Sequence, residues 1–236
     1  KGISSIMKRP VFIALDFPDA KTTRLFVNDF LKMADKPAIK IGMELFFAEG
    51  PEFVRELRSQ GFTIFLDLKL YDIPTSVGHA VASIAKLNVQ YLTVHAAGGT
   101  KMLRQAVANK GEEMKLLAVT QLTSFSEAEM RATQLTSSTM TENVIHLAEL
   151  AYQSGIDGTI SAPLEAGLIQ QKTNASFLRV TPGIRLTGDS TDDQMRITTP
   201  AKARELGATG LVVGRSITKS NDPVSAYQRV LLEWSN

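Results

Sequence analysis

The chain has 236 residues, a formal net charge of +2 and a hydrophobic content of 44%. This length and apolar content suit one large folded domain and exclude a disordered chain. Lysines and arginines are dispersed along the sequence, which argues against a nucleic-acid-binding surface. Cysteine is absent, which excludes disulfides, thiolate nucleophiles and cysteine metal sites.

The N-terminal residues carry no pattern typical of secretion or membrane insertion. No apolar run approaches the roughly 18 residues of a membrane span, and the one in KGISSIM is too short for a secretory signal. We therefore expect a soluble, cytoplasmic protein. Met7 is a candidate natural start, and the sequence leaves open whether residues 1–9 are a tag remnant or an extension. Residues 10–236 are the predicted folded domain.

Short apolar runs alternate with segments of helical periodicity along the chain. Such runs are typical of strands buried on both faces of a parallel sheet, whereas apolar residues at helical spacing predict amphipathic helices. The predicted strands are 11–15, 38–42, 63–68, 91–95, 116–120, 158–161, 177–180 and 210–213. The predicted helices are 20–33, 51–59, 76–86, 101–109, 141–153, a short one after Pro163, 200–206 and 223–234. The segment 124–138 is a longer connection, and the polar segment 186–195 is predicted to be a mobile loop.

Eight strand–helix units without a shift in composition predict the fold class. The pattern indicates an α/β protein with a single-domain (β/α)8 TIM barrel. A doubly wound open sheet is the alternative, and it is disfavoured because no G-x-G-x-x-G follows the first strand.

The stretch IFLDLKLYDIPTS, residues 64–76, changes from apolar to ionic. Side chains alternate along a strand, so Asp67 and Lys69 are expected on the same face, with their Cα atoms roughly 6–7 Å apart. Asp72 follows, and Pro74 is well placed to begin a helix. A solvated strand end with one structural salt bridge would show the same charges, so this stretch alone does not establish a site.

The other strand ends strengthen the prediction of a site, because function in such barrels gathers at the carboxyl ends of the strands. The ionisable and polar residues there are Asp16, Lys40, Asp67, Lys69, His95, Gln121 to Ser124, Arg185, Gly214 and Arg215. Unpaired charges are costly in the apolar interior of a barrel, so their clustering indicates function. For His95, a satisfied core polar group is the stronger interpretation.

The last strands indicate an anion site. Gly214 allows close backbone approach to a ligand, and the guanidinium of Arg215 is a forked donor that suits phosphate. Arg185 and Gln194 flank the polar loop and are expected to reach the same anion. An ordinary turn with an exposed arginine is the alternative. The three histidines are not clustered, which argues against an imidazole metal site, while Mg²⁺ held by Asp16 and Asp67 remains open.

The segment DLKLYDIP resembles the D-x-K-x-x-D signature of the orotidine 5′-monophosphate decarboxylase family. The resemblance runs from Phe12 to Arg215 and includes ALD at Asp16, IKIG at Lys40, VTQLTS at Thr123, VTPGIR at Arg185, DDQ at Gln194 and VVGR at Gly214 and Arg215. It implies decarboxylation of orotidine monophosphate to uridine monophosphate in de novo pyrimidine synthesis, with no cofactor and no metal. One departure is Ser76, where the family commonly has threonine; the hydroxyl is kept.

The resemblance also implies roles for individual residues. It implies that the Lys69 ammonium lies beside C6, the pyrimidine carbon that carries the carboxylate, and donates a proton to it. Asp67 and Asp72 would hold Lys69 charged and in position. Lys40 would complete the array of charges beside the ribose. Substrate-binding roles are implied for Ser76, for Asp16 and Lys40 at the ribose, for Thr123 at the pyrimidine, and for Arg185, Gln194, Gly214 and Arg215 at the phosphate. It further implies a homodimer in which Asp72 and the region of Ser76 reach the partner's site.

Three rival functions use the same residues differently. A Mg²⁺-dependent keto-sugar-phosphate decarboxylase or hexulose-phosphate synthase would place the metal at Asp16 and Asp67. A non-catalytic phosphate-binding barrel would not require the costly charge cluster. A Schiff-base aldolase would use Lys69 or Lys40 as its nucleophile. The LTS and TPGIR segments favour a pyrimidine nucleotide over sugar phosphates.

Overall fold

A computed structural model describes residues 9–186 and 198–235. Eight parallel strands pair in chain order and close into a barrel, because β1 also pairs with β8. The strands are β1 Val11–Ala14, β2 Ala38–Gly42, β3 Thr63–Leu70, β4 Tyr91–His95, β5 Lys115–Val119, β6 Gly158–Ile160, β7 Leu178–Thr181 and β8 Gly210–Val213. The predicted (β/α)8 barrel is confirmed.

Helices alternate with the strands and cover the outside of the barrel. They are α1 Ala20–Asn28, α2 Met43–Ser59, α3 Pro74–Ala85, α4 Gly99–Asn109, α5 Glu127–Gln134, α6 Met140–Gln153, α7 Ala166–Lys172, α8 Pro200–Glu205, α9 Arg215–Thr218 and α10 Pro223–Ser235. Short 3₁₀ turns occupy Ala96–Gly98 and Pro163–Glu165. Within the described residues, no helix is long and apolar enough to cross a membrane.

Two hydrophobic clusters stabilise this architecture. The larger one lies between the strands and the surrounding helices and includes most of the buried apolar residues. The smaller one fills the barrel, where Phe12 packs edge-on against Phe65 and Tyr91 with ring centroids 5.0 and 4.9 Å away. Phe65 and Val212 belong both to this cluster and to the lining of the cavity described below, so the interior cluster forms the floor of that cavity.

Three predicted helix features differ from the structure. The helix predicted from residue 51 is the second half of α2, and the prediction missed the first half, which begins at Met43 and meets the second across a kink at Gly50, φ 72°. Glycine tolerates this left-handed conformation, and Pro51 suits the first turn of the second half. The predicted connection 124–138 contains α5, which begins with a capping box between Ser126 and Glu129. The first helix ends earlier than predicted, at Asn28.

Several expectations fall on residues outside the described ranges. These are the N-terminal extension as far as residue 8, the predicted loop 186–195 beyond Leu186, and Gln194. The boundary between extension and barrel at residues 9 and 10 remains a prediction. Arg9 itself contacts α10, where its carbonyl accepts a hydrogen bond from the Trp234 indole at 3.1 Å.

Candidate active site

A cavity of about 610 Å³ opens at the carboxyl ends of the barrel strands. This is the edge at which barrels of this class place their active sites. Its lining contains eight of the residues to which the family resemblance assigns catalytic or substrate-binding roles, namely Asp16, Lys40, Asp67, Lys69, Thr123, Arg185, Gly214 and Arg215. The structure therefore brings together side chains from β1, β2, β3 and the connections after β5, β7 and β8.

A chain of alternating charges occupies one side of the cavity. Lys40 Nζ lies 3.1 Å from Asp16 Oδ1 and 3.6 Å from Asp67 Oδ2. The same Asp67 oxygen lies 2.9 Å from Lys69 Nζ. Three neighbouring strands supply these groups, and their parallel register places Lys40 and Asp67 at adjacent levels. The arrangement holds two ammonium groups on one carboxylate at the cavity wall.

The carboxylate of Asp67 is the centre of this cluster, with only 15% of its side chain exposed. Burial by itself would raise the pKa of Asp67. The charges of Lys40 and Lys69, together with hydrogen bonds from Lys69 and Thr93, outweigh burial and lower the pKa below its usual 3.8. Asp67 is therefore a fixed negative charge at neutral pH, in contact with the ammonium groups of both lysines.

Lys69 has an unusual backbone for a lysine in a strand. Its φ is 49°, in the left-handed region, and the register between β3 and β4 shifts between Leu66 and Leu70. A left-handed conformation costs a non-glycine residue about 1–2 kcal/mol. The Lys69 N–H donates to Thr93 Oγ1 at 2.8 Å, which is one compensating contact. Simple strand alternation predicts neither the bulge nor the contribution of Thr93.

The part of the cavity formed by the segments after β7 and β8 carries two arginines. Arg185 is buried and donates through Nη1 to the Ile184 carbonyl at 3.0 Å, while Arg215 lies at the start of α9. The connection between β7 and Arg185 turns at Gly183, whose φ of 77° favours glycine. The backbone N–H of Leu186 donates to Ser216 Oγ at 3.3 Å and so connects the two arginine-bearing segments. Lys219 also lines this side, which the sequence pattern did not indicate.

A network of amides supports the connection that contains Thr123. Gln121 is buried and donates through Nε2 to Asn143 Oδ1 at 2.6 Å and to Gln134 Oε1 at 3.1 Å. Gln134 lies on α5 and Asn143 on α6, so two helices restrain the strand end next to Thr123. The sequence indicated Gln121 only as a polar strand end, because its partners are remote in the chain.

Two predicted site residues are not part of the cavity in a single chain. Asp72 and Ser76 are both exposed and neither lines the cavity. Asp72 Oδ1 accepts a hydrogen bond from the Ile73 N–H at 2.6 Å. Ser76 lies in the first turns of α3. The roles predicted for Asp72 beside Lys69 and for Ser76 in substrate binding therefore stay predictions.

His95 lies close to the charged cluster but does not line the cavity. Burial, followed by the positive charge of Lys69, lowers the pKa of His95 below its usual 6.5, so the neutral imidazole is favoured. Its ring centroid lies 5.6 Å from that of Tyr71. The alternative that His95 is a partly buried structural residue agrees with this position.

The two carboxylates that would hold Mg²⁺ in the metal-dependent alternative already form ion pairs with lysines. Asp16 and Asp67 both contact Lys40, and Asp67 also contacts Lys69. Among the described residues, no group of three or more histidine, aspartate or glutamate side chains is arranged to hold a metal ion. A metal at this position would have to compete with two ammonium groups.

Known proteins resemble the chain over nearly its full length. The family model described as orotidine 5′-phosphate decarboxylase / HUMPS family matches residues 9–230. Orotidine 5′-phosphate decarboxylase of Oenococcus oeni is 58% identical, covering 97% of this chain and 100% of the relative. That of Listeria innocua is 46% identical, with the same two coverages. The crystal structure of orotidine 5′-phosphate decarboxylase from Lactobacillus acidophilus matches with a TM-score of 0.85 and 37% identity, covering 97% of this chain and 100% of that one.

These matches extend across the barrel and across every strand end that contributes to the cavity, so the chain belongs to the orotidine 5′-phosphate decarboxylase / HUMPS family.

Proposed function

We propose that this protein decarboxylates orotidine 5′-monophosphate to uridine 5′-monophosphate without a cofactor or a metal. The observation that carries the proposal is the ammonium group of Lys69, held 2.9 Å from Asp67 at the wall of a cavity that also contains Arg185 and Arg215. An anionic substrate with a phosphate at one end and a reacting carboxylate at the other matches this distribution of charge. The family membership supports the same reaction.

In this mechanism, the bond between C6 and the carboxylate breaks and its electron pair remains on C6. Carbon dioxide leaves, and the resulting carbanion lies next to the Lys69 ammonium. Lys69 then donates a proton from Nζ to C6 and recovers one from solvent. No electron sink exists in the pyrimidine, so the preorganised positive charge of Lys69 provides the main stabilisation. Asp67 keeps that charge in place, and its repulsion of the substrate carboxylate is a smaller effect.

The remaining residues of the site bind the non-reacting parts of the substrate in this proposal. Asp16 and Lys40 contact the ribose, and Thr123 contacts the edge of the pyrimidine. The phosphate-binding residues are Arg185, Gln194, Gly214 and Arg215. Binding energy from a phosphate far from the reacting carbon is then available to position the pyrimidine for the chemical step.

We further propose a cytoplasmic homodimer in which Asp72 and Ser76 enter the partner's site. A phosphorylated nucleotide does not cross membranes freely, which supports a location inside the cell. Asp72 and Ser76 are exposed in the single chain, and so are apolar side chains near them: Tyr71 is 62% and Ile73 66% exposed. Exposed apolar residues of this kind are typical of a protein–protein interface. A second copy would supply a second carboxylate to each Lys69, which within the described part of its own chain pairs with Asp67.

Mixing two inactive variants tests this arrangement. Lys69→Ala and Asp72→Ala are each expected to have little activity as homodimers. After subunit exchange, half of the dimers are mixed, and each of these has one site with both native residues. The mixture is therefore expected to recover about one quarter of the parent activity, as the two-fold symmetry of such a dimer requires. Failure to recover activity after confirmed exchange would place Asp72 in its own chain's site or outside catalysis.

The reaction itself is tested by following the loss of orotidine monophosphate absorbance with purified protein, with and without EDTA. Rapid conversion to uridine monophosphate that EDTA does not affect is the expected result. No conversion by a folded sample would refute the proposed reaction. Activity that EDTA abolishes and Mg²⁺ restores would instead indicate the metal-dependent sugar-phosphate branch of the family, which the same assay format can test with keto-sugar phosphates.

A further inference from the structure

Thr93 is fully buried in the middle of β4 and does not line the cavity. Its Oγ1 accepts a hydrogen bond from the Lys69 backbone N–H at 2.8 Å and donates one to Asp67 Oδ1 at 2.9 Å. A hydroxyl has a single hydrogen to donate, and here that hydrogen is directed at a carboxylate. One side chain therefore contacts both the backbone of Lys69 and the carboxylate that pairs with it.

The first of these bonds supports the left-handed backbone of Lys69. The register shift between β3 and β4 interrupts regular strand pairing at this point. The Lys69 N–H bonds to a side chain of β4 instead of a backbone carbonyl. Residues in sparsely populated conformations persist only where their surroundings hold them. Thr93 supplies such a contact at the residue whose side chain must reach the reacting carbon.

The second bond fixes the orientation of the Asp67 carboxylate. Oδ1 is engaged by Thr93, which leaves Oδ2 to face Lys69 Nζ at 2.9 Å and Lys40 Nζ at 3.6 Å. Without the Thr93 hydroxyl, Oδ1 would be a nearly buried oxygen without this donor, and the carboxylate would be free to turn. Lys69 Nζ pairs with Oδ2, so the position of the ammonium group in the cavity depends on this orientation.

We propose that Thr93 is a positioning residue for the decarboxylation, acting through the backbone of Lys69 and the carboxylate of Asp67. This inference rests on the proposed function above. Because Thr93 does not touch the cavity, its loss is expected to change the chemical step and to leave substrate binding largely intact. A purely structural threonine would have a different effect, since its loss would lower stability without a selective loss of kcat.

The principal test is Thr93→Val, which keeps the shape of the side chain and removes the hydroxyl. We expect kcat to fall about 10- to 100-fold, because small misplacements of catalytic groups have effects of this size, while KM changes by less than about threefold. The control is Thr159→Val. Thr159 is equally buried on β6, and its hydroxyl contacts Ser161 at 3.3 Å and neither of the two site residues. This control is expected to retain the parent kcat.

A second pair of variants keeps the test decisive if the valine protein folds poorly. Thr93→Ser and Thr93→Ala both lose the methyl group and differ only in the hydroxyl. We expect the serine variant to retain most of the parent kcat and the alanine variant to show the loss. Thermal unfolding and the circular dichroism spectrum of each protein would establish that the folded state is compared.

Equal kcat values for serine and alanine, or an unchanged kcat in a folded valine variant, would overturn the role of Thr93. Parallel losses of kcat in Thr93→Val and Thr159→Val would do the same, because they would reflect general disruption of the barrel. These outcomes are distinct from failure of the proposed function, in which the parent protein itself would not convert orotidine monophosphate.

Discussion

Replacing Lys69 with alanine is expected to lower kcat by about 10³-fold or more, because the variant loses both the charge that stabilises the carbanion and the proton that C6 receives. The neighbouring Lys40 does not replace it, since its Nζ already lies between Asp16 and Asp67. Binding of uridine monophosphate should remain measurable, because the variant keeps Arg185 and Arg215 in the cavity lining. Steady-state kinetics and calorimetric titration with uridine monophosphate provide the two measurements.

The matched control for this variant is Lys86→Ala, which removes an exposed lysine at the end of α3. It is expected to keep the parent kcat and the parent affinity. Robust turnover by Lys69→Ala would remove Lys69 from its proposed role. Loss of both turnover and nucleotide binding would show instead that the lysine is required to form the cavity, and the proton-transfer role would then lack support.

Replacing Arg215 with alanine is expected to weaken phosphate-bearing ligands selectively. Hydrogen bonds to charged groups contribute about 1.5–3 kcal/mol, so the Kd of uridine monophosphate should rise roughly 10- to 100-fold. Uridine lacks the phosphate, and its weaker binding should change little. The comparison of the two ligands by calorimetry separates the loss of a phosphate contact from a general change in the cavity.

Arg104→Ala is the control for charge, because it removes an exposed arginine from α4 and leaves the cavity lining unchanged. It is expected to bind both ligands as the parent does. Equal losses for uridine monophosphate and uridine in Arg215→Ala would mean that the anion site is elsewhere. A loss in Arg104→Ala of the same size would attribute the effect to the overall charge of the protein.

The barrel was predictable because its signals are local. Each strand is a short apolar run, and each helix has apolar residues at helical spacing. Eight such strand–helix units are compatible with few architectures. The clustering of Asp16, Lys40, Asp67 and Lys69 was predictable for the same reason. Each lies at the end of a strand that local patterns predict, and the strand ends of a parallel barrel meet at one edge. Helix α5, which the sequence analysis predicted as part of a connection, also has a local signal: the capping box at Ser126 and Glu129.

Other features depend on how remote segments are placed against one another. The support of Lys69 by Thr93 arises from the register shift between β3 and β4, and no pattern within either strand encodes that shift. The amide network of Gln121 likewise joins residues of a strand end and two helices. The exposure of Asp72 could not be predicted from the sequence either, because it depends on how the rest of the chain packs around it.

The sequence by itself therefore determined the barrel, the edge at which the site lies and the residue types that occupy it, because periodicity and strand alternation are properties of neighbouring residues. Tertiary structure alone decided the geometry of the charges. It places two ammonium groups on one Asp67 oxygen, holds Lys69 in a left-handed conformation and separates Asp72 from the cavity. These outcomes depend on strand register and burial, which arise only when distant parts of the chain pack together.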